Sequence, residues 1–272
     1  MDNNYESKWW AHIYDQRWID DRREAFERDF AFYPLQLAGV KGPVLECACG
    51  TGAVMLPLMA QGFDVQGFDI SKPMLTELRR KALELRITDI DRRVSQQRFT
   101  DFSYDVAFEA IIIPSNSFMM IATQDEQIQT LRNIHAHLAP GGRLLMHFFV
   151  PLYALPASLA RDADVTDWSP TSQPREVGTY VHPDTGNSIH LSFTMTSDPM
   201  TQQETGTYYF EHEGEVHEVP YASRYTYPAE FELLLRDAGF HRWEVHGSAD
   251  CTRAFALSAE HTLCFWVVHK DG

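Results

Sequence analysis

The sequence predicts an α/β fold: a doubly wound, mostly parallel sheet of seven strands with an antiparallel β insertion after the fifth strand. Three observations carry this prediction. Short apolar runs alternate with amphipathic segments from Val44 onward, hairpin signals replace that pattern after Pro151, and the alternation resumes at Pro228. Strands that alternate with helices indicate parallel pairing through right-handed crossovers.

The first 40 residues are predicted to be helical, because Trp9, Trp10, Ile13, Tyr14 and Trp18 recur at roughly helical spacing. The core elements then follow in chain order. We predict strand Val44–Cys47, helix Ala53–Gln61, strand Asp64–Asp69, helix Lys72–Leu85, strand Arg93–Gln97, strand Tyr104–Ile113, helix Gln124–Leu138 and strand Arg143–Phe149.

Residues 152–226 are predicted to be the insertion. Asp184-Thr185-Gly186-Asn187 stands between two alternating runs, and Glu213-Gly214 marks a second turn. Helix Pro228–Ala238, stopped by Gly239, and strands Arg242–His246 and His261–Val268 return to the sheet. The chain therefore divides into residues 1–151 (N-terminal helices and cofactor-binding core), the insertion 152–226, and residues 227–272 (the rest of the core).

Composition excludes several classes of protein. The 272 residues, 44% of them hydrophobic, suffice for one large domain or one domain with an insertion. A net charge of −15 disfavours a nucleic-acid partner. Apolar runs are too short for a membrane span, and the N-terminus lacks the basic and apolar order of a signal peptide. Four cysteines make no disulfide framework, so we expect a cytoplasmic protein.

The run "ECACGTGAV" follows the first predicted strand and opens the first helix of the sheet. Gly50 and Gly52 let the backbone approach a ligand closely. Asp69 ends the next strand, where a carboxylate can accept hydrogen bonds from both hydroxyls of a ribose; the alternative is a helix N-terminal acid that satisfies the following turn. Ala48 occupies the first glycine position of G-x-G-x-x-G and the third glycine is missing, which speaks against a nicotinamide dinucleotide.

This turn resembles motif I, D/E-x-G-x-G-T-G, of the class I S-adenosylmethionine-dependent methyltransferases, with Ala48 in place of a glycine. Four further stretches resemble that family in the right order. They are "GFDISKPMLTELRRKA", "RFTDFSYDVAFEAIIIPSNSF", "LRNIHAHLAPGGRLLMHFFVP" and "AEFELLLRDAGF". The resemblance covers about residues 5–150 and 224–270. It implies a Rossmann-like fold, S-adenosylmethionine as cofactor, and methyl transfer to a small molecule.

The resemblance also implies a set of cofactor-binding residues. They are Tyr14, Glu46, Ala48, Gly50, Gly52, Asp69, Ile70, Met74, Gln97, Arg98, Phe99 and Ile113. Glu46 borders the methionine end, Met74 and Phe99 flank adenine, the backbone near Ile113 receives the ammonium group, and Tyr14 is a lid. Gln97 or Arg98 stands where the family commonly has an acid near adenine, and another register would place Asp101 there.

The methyl acceptor is expected beside the fourth and fifth strands and the insertion. The candidate residues are Trp10, Asn116, His147, Tyr209 and Arg224, with His147 and Tyr14 as candidate catalytic residues. His147 could equally be a core histidine, and Tyr209 and Arg224 could be structural. Cys47 and Cys49 are expected to pack as small residues, and no metal is predicted.

Alternatives remain open from the sequence. The insertion is either a flap over the active-site mouth or a homodimer interface. The protein is a small-molecule methyltransferase or, alternatively, binds S-adenosylmethionine in the same fold without transferring its methyl group. A nicotinamide-dependent oxidoreductase is a weaker third reading. The residues do not identify the acceptor atom.

Overall fold

The computed structural model describes residues 7–151, 154, 169–258 and 262–272. Its N-terminal segment forms α1 (Lys8–Asp15), a π-helical turn (Gln16–Asp20), α2 (Arg23–Phe30) and α3 (Phe32–Gln36). Ser7 caps α1, since its Oγ accepts a hydrogen bond from the Trp9 amide (3.3 Å). The predicted helical region is thus interrupted near residues 20–22, a charged stretch that lies outside the apolar pattern.

The seven-stranded sheet confirms the predicted Rossmann-like fold. Its elements are β1 (Val44–Cys47), α4 (Met55–Ala60), β2 (Val65–Asp69), α5 (Lys72–Glu84), α6 (Ile90–Arg93), β3 (Val94–Gln96), β4 (Phe108–Ile113), α7 (Gln124–His137), β5 (Leu138–Phe149), α8 (Pro228–Asp237), β10 (Arg242–His246) and β11 (Leu263–His269), while β6 to β9 form a second sheet described below. The strands stand in the order β10-β11-β5-β4-β1-β2-β3. Strands β1 to β5 are parallel to one another, and β11 is antiparallel to both of its neighbours, β5 and β10.

Two apolar clusters cover the two faces of this sheet. Leu45 and Phe68 belong to one cluster, and Val44 and Val65 to the other, because successive residues of a strand point to opposite faces. All four side chains are buried. Burial on both faces explains why the core strands have near-continuous apolar sequences.

The predicted strand Tyr104–Ile113 is shorter in the structure, beginning at Phe108. Tyr104 instead lies in the preceding loop, where its hydroxyl hydrogen-bonds Ser95 Oγ (3.0 Å) and its amide donates to His137 Nε2 (3.3 Å). The start of the predicted strand His261–Val268 lies outside the described residues. Apart from such end shifts, the predicted core elements match those observed.

A second sheet follows β5 in the chain. It contains β6 (Thr171–Val181), β7 (Ser188–Asp198), β8 (Gln203–His212) and β9 (Glu215–Arg224), all antiparallel and in chain order. The antiparallel insertion is confirmed; residues 152, 153 and 155–168 of its predicted range lie outside the described residues. Trp9, Trp10 and Ile13 of α1 pack against one face of this sheet in a third apolar cluster. In the described part of the chain, every helix is too short or too polar to span a membrane.

Candidate functional site

The loop after β1 wraps around the carboxyl group of Asp69. The Gly50 amide donates to Asp69 Oδ2 (2.8 Å) and the Ser71 amide donates to Oδ1 (2.8 Å). Ala48 and Gly50 both have positive φ, +58° and +51°, which turns the loop sharply away from the strand. Each carboxylate oxygen has two lone pairs, so Asp69 supports the loop and retains acceptor capacity.

Two acidic groups meet at the ends of β1 and β2. Burial raises the pKa of Asp69 to about 6, although its hydrogen bonds to backbone amides act in the opposite direction. Burial, and next the charge of Asp69, raise the pKa of Glu46 well above its usual range. Glu46 Oε2 is buried and has no hydrogen-bond partner among the described residues. A cation or a hydrogen-bond donor placed here would therefore stabilise the ionised forms.

A cavity of about 410 Å³ opens beside this loop. One end is formed by residues that include Trp18 of the π-helical turn, Phe68 of β2 and Thr100 of the loop after β3. The other end is formed by the insertion, including Met195, Tyr208 and Tyr221. Its volume is in the range of small-molecule sites. The cavity thus connects the loop after β1, here called the glycine loop (residues 48–52), to one face of the second sheet. This face carries Met195, Tyr208 and Tyr221 and is here called the inner face.

Nine of the predicted cofactor residues line this cavity. They are Tyr14, Ala48, Gly50, Asp69, Ile70, Met74, Gln97, Arg98 and Phe99. Asp101, the alternative from another register, does not line it. The loop after β3 therefore presents the predicted residues to the cavity without an acid.

Glu46, Gly52 and Ile113 were predicted in the cofactor site but do not line the cavity. A Cβ at Gly52 would come within 2.9 Å of Leu56 and Leu78, so this glycine is required by helix packing. The Ile113 carbonyl accepts a hydrogen bond from the Tyr33 hydroxyl (3.2 Å) inside the core. Soon after β4 ends, Ser115, Asn116 and Ser117 reach the cavity.

Among the predicted acceptor residues, Asn116 alone lines the cavity. Its Oδ1 accepts a hydrogen bond from the Phe149 amide (3.1 Å), which ties the end of β4 to the end of β5. His147 is buried elsewhere in the core, with Nδ1 2.9 Å from the Tyr33 hydroxyl. Burial lowers the pKa of His147 to about 3. This histidine is a neutral core residue, and its geometry does not support the catalytic role considered for it.

Trp10, Tyr209 and Arg224 also lie away from the cavity. Trp10 is fully buried, with its ring edge-on to Tyr208 (4.8 Å between centroids). Tyr209 points to the opposite face of β8, because neighbouring residues of a strand alternate. Arg224 pairs with Glu230 and donates to Gln127 Oε1 (2.8 Å), an arrangement that joins β9 to α7 and α8.

The structure adds a carboxyl group that the sequence reasoning missed. Glu204 on β8 is buried, lines the cavity, and accepts a hydrogen bond from Ser223 Oγ (2.6 Å). Burial raises its pKa, and the Ser223 bond opposes that shift. Glu204 shares its face of β8 with the buried Tyr208 and Phe210. This even spacing from aromatic residues was the sequence pattern that could have predicted a buried acid on that face.

Helix α1 closes one side of the cavity and is attached to both sheets. Tyr14 lines the cavity, while Asp15 accepts from Thr51 Oγ1 (2.6 Å) and pairs with Lys81 Nζ (2.7 Å). Gln16 follows in the π-helical turn. Its side-chain amide donates to the Val181 carbonyl (2.8 Å) and accepts from the Val181 amide (2.9 Å). This segment therefore holds the glycine loop and the edge of the insertion together.

The residues present fit S-adenosylmethionine. A Cβ at Gly50 would lie 4.0 Å from Asp69 Oδ2 and would narrow the space beside that carboxyl group. Met74, Ile70 and Phe99 supply apolar surface for a base. Behind the cavity wall, Glu46 Oε2 has no hydrogen-bond partner among the described residues, and positive charge nearby would favour its ionised form.

Residues 44–142 match a family model described as a methyltransferase domain. Over 99 residues the chain is 35% identical to the cypemycin N-terminal methyltransferase of a Streptomyces species, covering 36% of this chain and 38% of that protein. Over 153 residues it is 27% identical to a glycine/sarcosine N-methyltransferase of Halorhodospira halochloris, covering 53% and 55%. The chain thus spans about two fifths to just over half the length of these curated relatives.

Solved structures resemble a larger part of the chain. The CcbJ methyltransferase from Streptomyces caelestis is 25% identical, covers 90% of both chains, and superposes with a TM-score of 0.67. An S-adenosylmethionine-dependent methyltransferase from Clostridium acetobutylicum is 16% identical, covers 97% of this chain and 98% of its own, and gives a TM-score of 0.69. The second likeness shows the shared fold.

Proposed function

We propose that this protein transfers the methyl group of S-adenosylmethionine to an amino nitrogen of a small molecule, a proposal supported by the match of residues 44–142 to a methyltransferase-domain model. The single observation that carries the choice of acceptor is the buried carboxyl group of Glu204 at the insertion end of the cavity. A buried carboxylate favours a cationic or hydrogen-bond-donating partner.

The charges of the cavity support an amine. Asp69, Glu126 and Glu204 line it together with one guanidinium, that of Arg98, among the described residues. An acidic site attracts a protonated amine and disfavours a carboxylate or phosphate substrate. Of the two curated relatives described above, one is named a glycine/sarcosine N-methyltransferase, which agrees with a nitrogen acceptor, and the other is named a cypemycin N-terminal methyltransferase.

The cofactor end of the cavity is assigned to the loop after β1. Asp69 would hold the ribose hydroxyls, Gly50 and Ala48 would border the methionine portion, and Met74 and Phe99 would flank the adenine. When bound, S-adenosylmethionine supplies an electrophilic methyl group on a positively charged sulfur. Glu46 lies behind the loop, where burial and then the charge of Asp69 raise its pKa, so positive charge brought by the cofactor would favour its ionised form.

The acceptor end is assigned to the insertion. Glu204 would orient the amine and accept its proton before the methyl group is transferred. Tyr208, Tyr221 and Met195 would exclude water around the amine. Tyr14 and α1 would cover the opposite side. Much of the rate enhancement would then come from positioning, because an oriented pair reacts without further ordering.

The decisive experiment combines binding with a matched acceptor screen. We expect S-adenosylhomocysteine to bind by calorimetry, and primary or secondary amines to be methylated in preference to alcohols and thiols of the same skeleton. Glu204→Gln should raise the KM for the amine about tenfold or more with little effect on S-adenosylhomocysteine affinity. Glu218→Gln, an exposed position on the neighbouring strand β9, is the control.

The outcomes separate the possible failures. Cofactor binding with no transfer to any acceptor would favour a binding protein with this fold. Equal turnover of alcohols, or a normal amine KM in Glu204→Gln, would remove the nitrogen assignment while leaving the methyltransferase intact. We also propose a cytoplasmic location, because all four cysteines are free thiols.

A further inference from the structure

Histidines from three segments meet where α1 packs against the insertion. His12 lies on α1, His182 follows β6, and His212 ends β8. The rings of His12 and His182 have centroids 4.4 Å apart, and those of His182 and His212 are stacked at 4.7 Å. Asp184, in the turn between β6 and β7, lies beside them. None of these four residues lines the cavity.

His12, His182 and Asp184 form a set of metal-ligand donors, here called the histidine–aspartate cluster. Each offers one ligand atom, and the three atoms lie within 4.8 Å of one another. His12 Nδ1 is buried and has no hydrogen-bond partner among the described residues. A buried imidazole nitrogen without a partner is costly unless something occupies it.

We propose that the histidine–aspartate cluster binds one divalent transition-metal ion, with Zn²⁺ as the best match, and that the ion fastens α1 to the β6–β7 hairpin. Two imidazoles and a carboxylate, completed by water, are a common zinc ligand set, whereas Ca²⁺ and Mg²⁺ prefer oxygen ligands alone. Zinc lies about 2.0–2.2 Å from such atoms. Small side-chain rotations would bring the three donors to that distance, since Asp184 is exposed and His12 half-buried.

The hydrogen bonds around the cluster indicate which atoms are available. His182 Nδ1 accepts two long bonds from backbone amides, of Asp184 (3.2 Å) and Thr185 (3.4 Å), so a lone pair lies on this nitrogen. A metal ion would replace those weak bonds. His212 Nδ1 is 3.0 Å from the Ser188 carbonyl and donates to it, which fixes the ring that stacks on His182.

The charges around the cluster are compatible with a bound metal ion. Burial, followed by the neighbouring His182, lowers the pKa of His12, whereas Asp184 acts to raise it. Lys8 also faces His12 and contributes to the lowering, and a carboxylate from Asp184 would offset part of the charge of the ion.

The simpler interpretation is that these rings only pack together around Trp9, which contacts His12, His182 and His212. Aromatic packing explains the ring distances. It does not explain why a carboxylate and two imidazoles converge, nor why His12 Nδ1 has no hydrogen-bond partner among the described residues. No local pattern in the sequence indicated this site, because His12 lies 170 residues before His182, and the metal-like pattern considered was that of Cys47 and Cys49.

The test uses protein without a histidine tag, stripped with a chelator and dialysed. Titration calorimetry with Zn²⁺ at pH 7.5 is expected to show one site per chain, and Co²⁺ to give visible absorption bands of a low-coordinate site. Zn²⁺ should raise the melting temperature, whereas Mg²⁺ should leave it unchanged. His12→Gln and Asp184→Asn should each weaken Zn²⁺ binding at least tenfold.

His190→Gln is the matched control, since this exposed histidine lies on β7 outside the cluster and should leave binding unchanged. Each variant must melt like the wild type in the presence of chelator, which separates lost ligation from lost folding. Absence of a stoichiometric site in the wild type overturns the proposal. Undiminished Zn²⁺ binding in His12→Gln also overturns it and would point to another site, such as Cys47 and Cys49.

Discussion

The carboxyl group of Asp69 illustrates how one residue can serve the fold and the ligand together. Its two oxygens already accept amide hydrogen bonds from Gly50 and Ser71. The sequence reasoning set ribose binding against a local structural role, and the geometry is compatible with both. The structural role is present without a ligand, so the ligand role needs a test that leaves the loop in place.

We predict that S-adenosylhomocysteine binding requires ionised Asp69. Burial raises its pKa to about 6, so the carboxylate predominates above that pH and is lost as the pH falls below it. Affinity should drop about tenfold between pH 8 and pH 5, and Asp69→Asn should bind weakly, by about 1.5–3 kcal/mol, with a flat pH profile. Calorimetry across this range checks the prediction; a wild-type affinity independent of pH would contradict it.

His147 shows the opposite case, a polar residue that belongs to the core. Burial lowers its pKa to about 3 from a usual value of 6.5. The unfolded chain therefore takes up a proton below pH 6.5 that the folded protein does not bind. This difference reduces the free energy of unfolding as the pH falls, by about 2 kcal/mol between pH 7 and pH 5.

We predict that His147→Gln retains methyl-transfer activity with an unchanged pH–rate profile. The variant should also lose much of the stability change between pH 7 and pH 5, because glutamine does not titrate and can still hydrogen-bond Tyr33. Urea unfolding at several pH values measures the second effect. A large fall in kcat without a change in stability would restore His147 as a catalytic candidate.

At the scale of elements, the strands and helices of the core were predictable because each carries its own signal. Strand Val44–Cys47 was predicted with its observed bounds, and a second strand was predicted near Arg242–His246, because apolar runs and flanking turns define both locally. The cavity was predictable at its cofactor end for the same reason: Gly50 and Asp69 lie at the carboxyl ends of adjacent parallel strands, which share one edge of the sheet.

The acceptor end was harder to predict, because it depends on how the second sheet packs. Glu204 reaches the cavity only through the pairing of β8 with β7 and β9. Arg224 was a candidate acceptor-binding residue, yet its guanidinium pairs with Glu230 and donates a hydrogen bond to Gln127 within the fold. Such long-range pairings leave little trace in the local sequence.

We predict that the attachment of helix α1 to the core slows the release of a bound cofactor. Asp15 connects it to Thr51 of the glycine loop and to Lys81 of α5. Asp15→Ala should loosen the helix and raise the dissociation rate of S-adenosylhomocysteine several-fold, because hydrogen bonds to a carboxylate are lost. Stopped-flow displacement measures this rate. Asp20→Ala, at an exposed position just beyond α1, should not change it.

At the scale of the molecule, the two sheets have different tasks in our proposal: the parallel sheet binds the cofactor and the inner face of the insertion selects the acceptor. The competing interpretation makes the insertion a dimer interface. The outer face of the insertion supplies a comparison, since Tyr209 lies there beside Val216 in a shallow groove. Variants on the two faces of the same sheet should therefore have separable effects.

We predict that Met195→Ala, on the inner face of β7, raises the KM for the acceptor several-fold and leaves S-adenosylhomocysteine affinity within about twofold. Its side chain is buried and lines the cavity, so truncation widens the wall around the acceptor and admits water. Thr194→Ala, the neighbouring position on the other face, should change neither constant.

Tyr209→Glu places a charge on the outer groove, where it would disrupt an apolar interface between copies of the chain. Light scattering gives the mass of each variant, and steady-state kinetics give both constants. If Tyr209→Glu converts a dimer to a monomer while Met195→Ala has normal kinetics, the insertion is an assembly element and the acceptor must be selected elsewhere.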